Sequence, residues 1–182
     1  MFPQRAVLTY QDYLELPDDG RQYEIVDGDV FVNPAPNIDH QRTNRSLYGD
    51  VWGYVEGHHL GEVFFAPVDV VLSETNVIQP DIVYVANDRL DVIREAGIVG
   101  APTLVVEIIS PKRASRDRLV KRQLYERFGV PYYWIADRET RTIEAFELRG
   151  ERYVLAATLE GRTPRALPPL PGLVLDPARV WR

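Results

Sequence analysis

The sequence predicts an α/β (α+β) fold, a mixed central β-sheet flanked by helices, with β-hairpins near both ends. Three observations carry this. Strand-type and helix-type segments interleave along the 182 residues. One run, Thr103 to Ile109 (TLVVEII), is continuously apolar apart from a single glutamate, as suits a strand covered on both faces. Tight-turn signals separate paired apolar runs at Asp27-Gly28 and at Arg149-Gly150-Glu151.

The elements follow in order. Thr9 to Leu16 has the spacing of a short helix with Thr9 as its cap. Tyr23 to Val26 and Val30 to Val32 form a hairpin, which Asn33-Pro34-Ala35-Pro36-Asn37 cannot continue. Asp39 to about Val55 is a helix with its apolar line at Leu47, Tyr48, Val51, Trp52 and Val55, closed by Gly57. Strands follow at Glu62 to Phe65 and Asp69 to Leu72. Ile78 to Val85 (IQPDIVYV) is one strand with Pro80 near its beginning, and Leu90 to Ile98 has the pattern of a short helix or of none. After Thr103 to Ile109, Ser110-Pro111 stops the strand, Arg116 to Phe128 is a helix ended by Gly129, and Pro131 to Ala136 is a second central strand. Thr142 to Leu148 and Tyr153 to Leu159 pair as a hairpin, and the proline-rich tail packs back through Leu173 to Leu175. Length and the lack of a linker point to one domain over residues 1–182.

Composition narrows the chemistry. With no cysteine, disulfides, thiolate zinc sites and cysteine nucleophiles are excluded. Only His40, His58 and His59 offer imidazoles, so a bound metal would need oxygen ligands, which favours magnesium, manganese or calcium. No apolar run approaches the roughly 18 residues of a membrane span and no secretory leader is visible, so a cytoplasmic location is the expectation. The net charge of −6 argues against a uniformly basic surface. Lys112 to Arg127 nevertheless holds seven basic and two acidic residues, a local +5. Such a strip can meet a phosphate backbone or be a solvated helix face. Of the 21 basic residues only Lys112 and Lys121 are lysines. Nucleotide-binding GxGxxG and GxxxxGK[ST] motifs and the GxSxG elbow are absent.

Four charges stand where apolar residues belong. Asp81 follows Pro80 at the head of an apolar strand. Glu107 lies in mid-strand, which is costly unless it is paired or binds a cation. On a wheel of about 100° per residue, Asp117 and Lys121 fall in the stripe of Val120, Leu124 and Phe128, so the helix turns an ammonium towards the sheet. Each residue alone has a plain reading, Asp81 as a turn cap and Glu107–Lys121 as a buried ion pair.

From PDIVYV through PTLVVEIISP to D-x-x-x-K-x-x-x-Y-x-x-x-G-V-P-Y-Y-W-I-A-D, the chain resembles the Uma-type restriction endonucleases of the PD-(D/E)XK nuclease superfamily. The likeness runs from YEIVDGDV at Tyr23 to PLPGLVLD. It implies the restriction-endonuclease-like fold and a Mg2+- or Mn2+-dependent endonuclease acting on DNA. Asp81 and Glu107, with the Ile108 carbonyl, would hold the metal. Lys121 would orient water or stabilise developing charge, and Glu24 would help hold the metal or its water. Arg113, Arg116 and Arg118 would grip the nucleic-acid backbone, with His40, Asp117 and Tyr125 as accessory positions. The superfamily lysine two places after the acidic strand residue is here Ile109, so Lys121 would supply the ammonium from the helix. A homodimer is expected of a nuclease that cuts both strands. The rival readings are a catalytically inactive nucleic-acid- or partner-binding domain of the same fold, and an ion-paired domain with a surface role.

Overall fold

The computed structural model describes residues 6–109 and 114–182, the side chains of 114–118 excepted. Thr9 caps α1 (Tyr10–Leu14) in a reciprocal capping box with Asp12. The first hairpin is β1 (Gln22–Val26) and β2 (Asp29–Asn33). Its turn needs positive φ at both central residues, and Asp27 (50°) with Gly28 (78°) provides it. A side chain at Gly28 would also collide with Val7. The long helix α2 (Ile38–Gly57) is capped by Asn37, whose side chain accepts the His40 N–H. Gly57 is its last residue, and the chain turns away through His58 and a left-handed His59.

Then come β3 (Gly61–Phe65), β4 (Val70–Ser73), β5 (Asn76–Ile78) and β6 (Ile82–Ala86). The stretch expected as one strand over Ile78 to Val85 is thus two. Pro80 has no N–H to donate to a ladder, and the break at Gln79-Pro80-Asp81 lets the chain cross from one sheet to another. Leu90 to Ile98 is neither one helix nor a plain loop. A 3-10 helix over Asn87–Val92 leads into β7 (Ile93–Arg94) and β8 (Gly97–Val99). The strand β9 (Leu104–Ile109) precedes α3 (Ala114–Arg127), and the expected stop at Ser110-Pro111 lies outside the described residues. The remaining strands are β10 (Tyr132–Asp137), β11 (Thr142–Arg149), β12 (Arg152–Leu159), β13 (Arg165–Leu167) and β14 (Leu170–Leu175), before α4 (Pro177–Val180).

The central sheet has the order β12-β11-β10-β9-β6-β3, mixed because β9 and β10 run parallel while their neighbours are antiparallel. A second six-stranded sheet, β2-β1-β5-β4-β8-β7, replaces the simple N-terminal hairpin that local pattern suggests. One face of the central sheet carries α2, the β13–β14 hairpin and α4, around Leu47, Val51, Trp134 and Val106. The opposite face carries α3 and the second sheet, around Val105, Tyr133, Leu124 and Ile78. Sandwiched on both sides, β9 is buried from Leu104 to Ile108, which explains its unbroken apolar spelling. Each such valine or leucine contributes about 1.5–3 kcal/mol by leaving water. Among the described residues no helix is long and apolar enough to cross a membrane.

Candidate functional site

Strand alternation aims the first residue. In β9, Val105 and Glu107 share the face that meets α3, while Val106 and Ile108 face α2. Glu107 is only 8% exposed, so its charge must find partners inside the protein. Two come from α3. Lys121 Nζ donates to Glu107 Oε1 at 3.0 Å and to Oε2 at 3.2 Å, and the Tyr125 hydroxyl donates to Oε1 at 2.5 Å. Lys121 and Tyr125 are one helical turn apart, hence on one face.

The second sheet supplies another carboxylate. On β1, Glu24 and Val26 point inward while Ile25 packs beneath α1. Glu24 is 3% exposed, and its Oε1 accepts from Lys121 Nζ at 2.9 Å and from the Gln79 backbone N–H at 2.9 Å. Asn33 hydrogen-bonds it as well.

Asp81 lies where β5 gives way to β6, next to Glu107 across the β6–β9 ladder. Its Oδ2 accepts the Ile108 N–H at 2.7 Å, doing with a side chain what the broken ladder no longer does with backbone. Its Oδ1 is 3.2 Å from His40 Nε2, offered from the first turn of α2. All of these groups except Glu24 and Tyr125 open into one cleft of about 470 Å³, whose far wall is the loop Pro34-Ala35-Pro36-Asn37.

The electrostatics follow from crowding acids in a dry place. Burial pushes the Glu107 carboxyl up to about 7 against the pull of Lys121, with Asp81 and Glu24 adding to the rise. Burial also opposes the Lys121 charge, but Glu107 and Glu24 outweigh it and hold the ammonium above the ordinary lysine value. For Glu24, burial is overcome by Lys121, and the carboxyl lies below its usual range. Burial pulls His40 down, yet Asp81, with help from Glu107 and the Ile108 backbone, raises it. Tyr125 is pushed well up by burial and then by Glu107, which keeps its hydroxyl a donor.

In this cleft, among the described residues, oxygen donors outnumber the single imidazole of His40. Among the described residues no three His, Asp or Glu side chains form a ready-made cage. Asp81, Glu107 and Ile108 all line the cleft, and their two carboxylates with one backbone carbonyl would match the sparse protein ligation that magnesium tolerates.

The structure thus brings together Glu24, His40, Asp81, Glu107, Ile108, Lys121 and Tyr125. Arg113 lies outside the described residues, and Arg116, Asp117 and Arg118 are described only as backbone of α3. Ile109 is half-buried at the cleft and packs with the core on the α3 side. Sequence reasoning missed Gln79 and Asn33, which hold Glu24, and Gln41 and Asn44, which line the cleft. Gln79 adjoins Pro80-Asp81, and that adjacency was its only local signal.

Three comparisons with known proteins bear on this arrangement. No protein with a curated description matches the sequence. Among solved structures, the crystal structure of a "putative nuclease belonging to DUF820" from Anabaena variabilis superposes with a TM-score of 0.78. The two share 16% identity, over 96% of this chain and 97% of that one, so the fold is common to both. The model of the Uma2 family, described as "putative restriction endonuclease", matches residues 10–178, and the chain belongs to that family.

Proposed function

We propose that this chain is a metal-dependent endonuclease hydrolysing phosphodiester bonds in DNA, acting in the cytoplasm and pairing as a homodimer when both strands are cut. The observation that carries the reading is the meeting of Asp81, Glu107 and Lys121, from two strands and a helix, at one cleft. Family membership agrees with it.

Asp81, Glu107 and the Ile108 carbonyl would hold Mg2+ or Mn2+. The bound ion would acidify a water and polarise the phosphate. Lys121 is held protonated by its two carboxylates, so it donates hydrogen bonds and does not act as a base. Its task is to orient the attacking water and to stabilise charge developing on the phosphate oxygens. Glu24 is taken up by Lys121 and Gln79, which makes it a positioning residue for the ammonium. His40 positions Asp81 in the same way. Tyr125 fixes one oxygen of Glu107 from beneath. The basic residues Arg113, Arg116 and Arg118 would hold the DNA backbone near the start of α3.

The test is cleavage of plasmid and linear DNA with magnesium or manganese. Lys121→Ala and Asp81→Asn should each lose cleavage while circular dichroism stays native. Calorimetric titration with manganese should show a site that Glu107→Gln removes. Wild-type nicking by Lys121→Ala would refute its role. A wild-type protein that binds DNA without cutting would favour the inactive binding domain.

A further inference from the structure

The face of α2 that leaves the cleft has a composition of its own. At about 100° per residue, Gln41, Arg45, Tyr48 and Trp52 fall within a strip about 60° wide, on the flank of the buried line through Leu47, Val51 and Val55. Gln41 belongs to the cleft wall, and Trp52 lies about 16 Å further along the axis at 1.5 Å per residue. Tyr48 and Trp52 are stacked, with centroids 6.4 Å apart and planes at 15°. Phe65, the last residue of β3, meets Tyr48 edge-on at 4.8 Å, and its neighbour Ala66 lines the cleft. Tyr48 is partly buried against the core, but the other two rings are open to solvent. Trp52 is 48% exposed and Phe65 55%.

Two further facts separate this patch from stray surface hydrophobics. Gly49 and Gly53 sit mid-helix beside the rings, where glycine weakens a helix, and a side chain at either would meet nothing described within 4 Å. Packing does not require either glycine. The acid of β3, Glu62, alternates with Val63 and so leaves the ring side of the strand free of negative charge, while Arg45 brings a cation into the strip. A cation beside stacked aromatic faces, continuous with a phosphodiester-cleaving site, is the chemistry that holds unpaired nucleotides.

We infer that Tyr48, Trp52 and Phe65, with Arg45, form a stacking shelf for unpaired bases of a single-stranded DNA segment leaving the cleft along α2. This rests on the nuclease reading and deepens it, since a fully paired duplex keeps its base faces buried. The preferred substrate is therefore a single strand, or a junction with a single-stranded arm.

Trp52 provides its own probe, because Trp134 is fully buried and Trp181 partly so. With calcium in place of magnesium, a twelve-nucleotide oligothymidylate should quench tryptophan fluorescence of the full chain. Trp52→Phe should abolish the quench with affinity kept within about twofold, since a ring remains. The Trp52→Ala/Phe65→Ala double variant should bind the oligonucleotide about tenfold more weakly or worse, given about 1–3 kcal/mol per stacked base. Its affinity for a blunt duplex should not change. Equal oligonucleotide affinity in the double variant and wild type would overturn the shelf, and Lys121-dependent cleavage measured in parallel would then leave the nuclease reading standing. Shelf-dependent binding without cleavage of any substrate would do the reverse. Sedimentation at the same concentrations completes the test. A wild-type dimer that the double variant dissolves would assign the face to a second copy and refute the shelf.

Discussion

Glu107 is the residue on which the pH behaviour of the folded chain turns. Its carboxyl titrates near 7 when folded against 4.5 for an ordinary glutamate, so the folded state holds that proton more tightly than the unfolded one. Between about pH 4.5 and 7 its contribution to stability therefore declines as pH rises. His40, raised above 6.5, contributes stability that is complete below 6.5 and is lost as pH rises through its folded value. Glu24, lowered below 4.5, is lost only as pH falls beneath that range. In EDTA, the urea midpoint should accordingly fall from pH 5 to pH 8, and Glu107→Gln should flatten the decline. A midpoint that climbs over that interval would contradict the burial of this carboxylate. At this scale the sequence was informative. A glutamate inside TLVVEII and a lysine in an apolar helical stripe are costly spellings, and both charges are found paired with each other. Gln79 and Asn33 carried no such mark, because a polar residue beside a proline or at a strand end is ordinary.

Among the elements, α2 shows how helix economy and surface chemistry part company. Its inner line is a normal apolar stripe, yet its middle holds Gly49 and Gly53, with open space around both. Gly53→Ala should raise stability by about 0.5–1 kcal/mol in urea unfolding. A loss would reveal a contact that packing does not show. Most elements were legible from period and turn chemistry. The Asp27-Gly28 hairpin, the Thr9 cap and Gly129 after α3 stand where their residues demand. Pro80 was underestimated. A proline near the start of a run permits either an edge strand or a break, and only the partners on each side select the break. The β13–β14 hairpin and α4 were also hidden, since their strands are short and their apolar residues are interrupted by prolines.

For the molecule as a whole, the site is a joint. Glu24 arrives from the second sheet, Glu107 and Asp81 from the central sheet, Lys121 from α3 and His40 from α2. The Glu24–Lys121 pair spans 97 positions of sequence and ties the second sheet to α3. Removing Lys121 leaves two carboxylates buried without their cation, which costs about 3–5 kcal/mol for a typical buried pair. A double-mutant cycle of Glu24→Gln and Lys121→Met should give a coupling of about 0.5–3 kcal/mol in denaturant unfolding. Additive effects would mean that the ammonium relies on Glu107 alone.

Local spelling was enough for the class of fold, the central strands and the direction of the Lys121 side chain. These depend on side-chain period, turn stereochemistry and the cost of burying charge, all properties of short windows. Packing alone decided that two sheets exist, that Glu24 closes over the same ammonium as Glu107, and that an aromatic strip continues the cleft. Those facts depend on which surfaces meet, and residues 97 apart exert no force on each other until the chain has folded.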